Sequence, residues 1–127
     1  MESLKKHIIR SYVLSQSNED RKSNRITFIT PYGHITGFLV LRDEINPDDA
    51  SYRLSQHAYE YVASYRVNNE LPLEESFEGD DGFMILRDVE LKSLNGSITN
   101  YTELVVFYNQ IIAFTIDSDK ELNNERV

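Results

Sequence analysis

Two apolar stretches in the last third of the chain constrain its fold most: FMILRDVELKS at 83–93 and ELVVFYNQIIAF at 103–114. Between them, LNGSITNY carries Asn95-Gly96, the strongest short hairpin signal a sequence offers. In the first stretch Phe83, Ile85, Val89 and Leu91 alternate with Met84, Leu86, Asp88 and Glu90. Both faces are therefore apolar at its start and only one is later, which predicts a strand buried on both sides at one end and solvent-facing at the other. TELVVFY and QIIAFTI read as the last two strands, joined at Tyr108-Asn109-Gln110, where Asn109 can adopt the left-handed conformation of an abrupt reversal.

Upstream, ITFIT is β-branched or aromatic and favours an extended chain. Pro31-Tyr32-Gly33 breaks it with the chemistry of a tight turn, and HITGFLVLRD follows as a second strand. Gly37 in mid-strand predicts a bulge or sharp bend, as curving a sheet into a barrel requires. The segment 1–15 has helical spacing: Leu4, Ile8 and Tyr12 recur at i, i+4 and i+8, Ile9 and Val13 form a neighbouring stripe, and Ser3 stands ready as a cap. SQSNEDRKSN then reads as a linker.

Residues 44–82 form an insertion. Asp48 or Asp49 caps a helix running to about Val67, with Leu54, Ala58, Tyr61, Val62 and Tyr65 on one face, Tyr52 and Tyr59 on a second, and Ser55 outward. An acidic, aperiodic loop to Gly82 completes it, and 118–127 reads as a disordered tail. The expectation is a mainly β, single-domain chain over 1–127: a five-stranded bent barrel with an N-terminal helix and a helix inserted between the second and third strands.

Gly33, Gly37 and Leu39, then Leu86-x-Asp88-Val89-Glu90, then Val105–Phe107 with Tyr108-Asn109 and Ile111-Ile112, resemble the motifs of the Sm-like family of small β-barrels. The resemblance covers about 65 residues in two pieces and implies the same helix-plus-five-strand order and a tendency to assemble into rings. The sequence departs from the family in having three residues between its two glycines rather than four, and an insertion of about forty residues between the motif halves. Phe83 and Tyr108 stand where the family has its RNA-contacting Asn and Arg, so the resemblance implies the fold and not the RNA site.

Composition excludes several chemistries. With no cysteine there are no disulfides, thiolate metal sites or cysteine nucleophiles. His7, His34 and His57 fall on three separate elements without metal-ligand spacing, and Glu74, Glu75, Glu78, Asp80 and Asp81 do not match a calcium loop. No nucleophile elbow, phosphate loop or dinucleotide fingerprint occurs, so the expectation is a non-enzymatic protein with no cofactor, no metal and no catalytic residue. No signal-peptide pattern and no run of about 18 apolar residues is present, which points to a cytosolic protein without a membrane partner.

A net charge of −8 argues against a protein that blankets a phosphate backbone. The basic residues concentrate before position 26 and the acidic ones after 43, and the asymmetry reads as solvation or as a partner on the N-terminal side. Eight tyrosines are many for this length, and tyrosine suits interfaces. The leading expectation is an interaction or assembly module, with a protein partner or a second copy meeting Tyr52, Tyr59, Tyr61, Tyr65, Tyr108 and Asn109. A second is RNA binding through Lys5, Lys6, Arg10, Arg21, Lys22 and Arg25. A third is a small ligand at the Tyr32–His34 turn.

Overall fold

The computed structural model describes residues 1–15 and 24–117. Helix α1 (Leu4–Ser15) precedes strands β1 (Arg25–Thr30) and β2 (Gly33–Leu39). Helix α2 (Arg53–Asn68) follows, led in by a short 3-10 turn at Ala50–Tyr52, and then come β3 (Phe83–Ser93), β4 (Ile98–Phe107) and β5 (Ala113–Asp117). The strands form one antiparallel sheet in the order β4-β3-β2-β1-β5. Five strands and two helices make a mixed α/β architecture. The ladders leave the sheet open, because β4 pairs with β3 and β5 with β1, and the two are at opposite ends. The segments 16–23 and 118–127, with the linker, Arg21, Lys22 and the predicted tail, lie outside the described residues.

The sheet bends where the sequence marks it. Between Thr36 and Phe38 the β2–β3 register shifts, so that Asp88 and Val89 face Gly37 alone. A side chain at Gly37 would place its Cβ 2.8 Å from the Arg87 carbonyl oxygen, so only glycine permits this approach. Asp88 takes up the extra residue in the left-handed region, at φ 50°, a conformation short polar side chains tolerate better than apolar ones. Asn109, expected to make such a reversal, instead sits in a 3-10 turn (Tyr108–Gln110) without positive φ.

Side chains alternate across β3, so Met84, Leu86 and Val89 enter the main core with Phe28, Ile26 and Ile35 from β1 and β2 and Val106 from β4. Helix α1 covers this face with Ile9 and Val13, while Leu4, Ile8 and Tyr12 face outward. The neighbouring stripe is thus the buried one. Ser3 caps the helix as expected, accepting from the Lys6 backbone N–H at 3.0 Å. Helix α2 lies over the opposite face at the β3–β4 end, where Tyr59 meets Phe83 and Phe83 meets Phe107.

Candidate functional site

Helix α2 is fastened to the sheet by polar groups. The carboxylate of Glu103 on β4 accepts hydrogen bonds from the backbone N–H groups of Leu54 and Ser55, at 3.0 and 2.9 Å, and from the Ser55 hydroxyl. A carboxylate at a helix N-terminus satisfies free N–H groups and opposes the helix dipole favourably. Directly across the ladder from Glu103 is Arg87, which donates to the Ser51 hydroxyl at 3.0 Å and lies 3.8 Å from the centre of the Tyr52 ring. Asp49 caps the lead-in turn, accepting from the Ser51 N–H and hydroxyl, and these bonds hold its carboxyl below the usual aspartate range. Ser55, expected to face outward, is the one fully buried residue of α2. Neither Ser55 nor Glu103 carries a periodicity signal, since a serine on a helix and a glutamate on a strand read as solvated.

With only Ser55 buried, the apolar face of α2 stands open. Leu54, Ala58, Tyr61, Val62 and Tyr65 line a groove of about 610 Å3, whose other wall includes Val105 and Phe107 of β4. Tyr61 and Tyr65 are 72% and 54% exposed and Phe107 54%. Of the residues expected at an interface, Tyr61, Tyr65 and Asn109 are therefore exposed. Tyr52 is half-buried beneath Arg87, Tyr59 half-buried against Phe83 with the Arg42 guanidinium 5.7 Å from its ring, and Tyr108 is buried.

The N-terminal cations meet the acidic loop. Lys5 pairs with Asp80 at 3.3 Å, and Arg10 pairs with Glu2 at 2.9 Å and donates to Ser76. Glu2 also accepts from the Ser76 hydroxyl and contacts His7, and Ser76, His7 and Arg10 together hold its carboxyl below the usual range. Ser3 and Lys5 do the same for Asp80. Residue 2 bridges to Gly79 in parallel fashion, so the loop is stitched to the chain start. Lys6 is buried, its ammonium donating to the carbonyls of Phe77 and Asp81 at 2.5 and 2.7 Å, and burial lowers its pKa. Arg25 is half-buried with its Nε lacking a hydrogen-bond partner among the described residues.

Between α1, the loop and the second flank of α2 lies a cleft of about 280 Å3, walled by Lys6, Arg10, Tyr59, Arg66, Phe77 and Tyr108 among others. Burial raises the Tyr59 phenol, with Arg42 pulling against it. Burial likewise pushes Tyr108 up to about 12, opposed by Arg10 and reinforced by Glu2 and Tyr59.

The Tyr32–His34 turn stands apart from both cavities. The Thr30 hydroxyl donates to the Gly33 carbonyl and accepts from the Tyr32 N–H, which fixes the turn. Tyr32 and His34 both face solvent, and His34 sits opposite Lys92 in the ladder. Among the described residues no cluster of three or more His, Asp or Glu side chains is placed to hold a metal ion, and no helix is long and apolar enough to cross a membrane. Compared with known proteins, the sequence matches no family model and no curated relative.

Proposed function

We propose that this chain is a non-enzymatic assembly module that binds a second copy of itself along the α2–β4 face. The observation that carries the reading is the open apolar side of α2, with Leu54, Tyr61 and Tyr65 uncovered beside Val105 and Phe107. Aromatic groups in a groove are what a well-packed interface uses, because they bury much area for little lost side-chain entropy. The outer side of β4 borders the same groove and, among the described residues, has no strand beside it, and β5 at the far end is equally unpaired there. An uncovered edge of this composition is a liability that pairing with another chain removes. Association of β4 with β5 of a neighbour would complete the barrel-like closure that one chain leaves open, in keeping with the Sm-like resemblance.

Sedimentation velocity over a concentration series tests this. Self-association is expected, weakened at least about tenfold by Tyr61→Ser combined with Tyr65→Ser, since buried interface tyrosines rank among the costliest to truncate. A monomer at every concentration overturns the proposal. RNA binding has less in its favour, because Lys5 and Arg10 already hold carboxylates and Lys6 is buried. Steep salt-dependent RNA binding, lost on changing Lys5 and Arg10 to Ala, would reverse that ranking.

A further inference from the structure

The tip of the β3–β4 hairpin carries a reactive group that neither the groove nor the cleft uses. Asn95 is the one asparagine of the chain followed by glycine, and residues 94–97 are all exposed. Its side-chain oxygen Oδ1 accepts from the Ser97 backbone N–H at 3.0 Å and from the Ser97 hydroxyl at 2.7 Å. These two bonds fold the carboxamide back over the Asn95–Gly96 peptide and draw electron density away from its carbon, Cγ. Glycine brings no side chain of its own against the peptide nitrogen, and a Cβ built on Gly96 would meet nothing within 4 Å. The turn is therefore open to water and base.

We propose that Asn95 is a site of self-modification, at which the Gly96 amide nitrogen displaces ammonia from the Asn95 carboxamide through a cyclic imide. Hydroxide takes the Gly96 amide proton and becomes water. The nitrogen then bonds to Cγ, and the negative charge that develops falls on Oδ1, where both Ser97 donors already point. The Cγ–Nδ2 bond breaks, and ammonia leaves with a proton taken from water, which restores the hydroxide. A water molecule opens the imide at either carbonyl, giving aspartate or its β-linked isomer. One water is consumed and one ammonia released, with no change of oxidation state.

The Gly96 N–H donates to the Ser93 carbonyl at 2.9 Å, so the reaction draws on openings of that bond, and exposed loop tips open most readily. The β-linked product inserts one backbone atom between Ser93 and Ser97, whose N–H and carbonyl meet at 2.8 Å beside the Lys92–Ile98 pair. Both products add a negative charge next to the start of β4.

Peptide mapping by mass spectrometry tests this on the full chain, held folded at neutral and at mildly alkaline pH. Asn95 is expected to convert at least about tenfold faster than Asn100 or Asn109, which are also exposed, and to accelerate with hydroxide. Ser97→Ala drops the hydroxyl and keeps the N–H; it should slow the loss of ammonia severalfold, less than such a donor contributes in a water-excluded site. Amide exchange at Ser93 and Ile98 should quicken as product accumulates. An intact Asn95 under these conditions would overturn the proposal, as would conversion confined to chain unfolded in urea, where the turn no longer exists. An unchanged or faster rate in Ser97→Ala would overturn the role assigned to its donors.

Discussion

The two helices reverse what their lengths suggest. Helix α1, with 12 residues, buries Ile9 and Val13 in the main core, whereas α2, with 16, buries a single serine. One is held by apolar area removed from water, the other by a carboxylate and a guanidinium reaching up from paired strands. The difference assigns their roles. A helix fixed through polar contacts at one end keeps its apolar side for something else, while a helix that spends its apolar side on the core has none to offer there.

The most direct way to break this comparison is to truncate an equivalent aliphatic side chain on each helix. Ile9→Ala should cost about 2–5 kcal/mol in urea denaturation and Leu54→Ala less than about 1 kcal/mol, because Ile9 is 2% exposed and Leu54 43%. Equal losses would mean that α2 is packed as tightly as α1.

Alkaline unfolding gives the next largest effect, at the cleft where the two helices approach. An unfolded tyrosine loses its proton near pH 10, whereas Tyr108 in the fold keeps it to about 12. The folded state therefore binds more protons in that window, and stability should fall as pH rises from 10 to 12, by on the order of 2–3 kcal/mol. Lys6 acts oppositely: its lowered folded pKa makes stability rise with pH as that pKa is passed, up to the unfolded value of 10.5. Tyr108→Phe should remove most of the alkaline slope, and a slope left unchanged would place its origin elsewhere.

Glu103→Ala should cost about 1–2 kcal/mol, since it strips the cap from α2. Hydrogen exchange sharpens the point, because the loss of protection should concentrate in the first turns of α2 and spare α1. The smallest change in stability is expected for Tyr61→Ser, within about 0.5 kcal/mol. A larger loss would show that the groove is already filled from within the chain.

Much of the sheet was legible from local pattern. The apolar-then-alternating run at 83–93, the Asn95-Gly96 turn and Gly37 each name a strand, a hairpin and a bulge, and each forms where its residues predict. The placement of Leu4, Ile8 and Tyr12 was not, because two adjacent helical stripes are equally apolar and only contact with Phe28 and Leu86 chooses between them. The candidate sites were harder still. Lys5 and Arg10 read as free cations until they meet Asp80 and Glu2, and a sequence-wide charge asymmetry becomes an internal complement.

By itself, then, the sequence determined which segments extend and which coil, because backbone preference and side-chain period act over a few residues. Tertiary structure alone decided that Lys6 and Ser55 are buried, that Glu103 caps a helix 48 positions away, and that the sheet stays open at β4 and β5. Those outcomes depend on pairings across dozens of residues, and no local pattern encodes which distant partner satisfies a buried polar group.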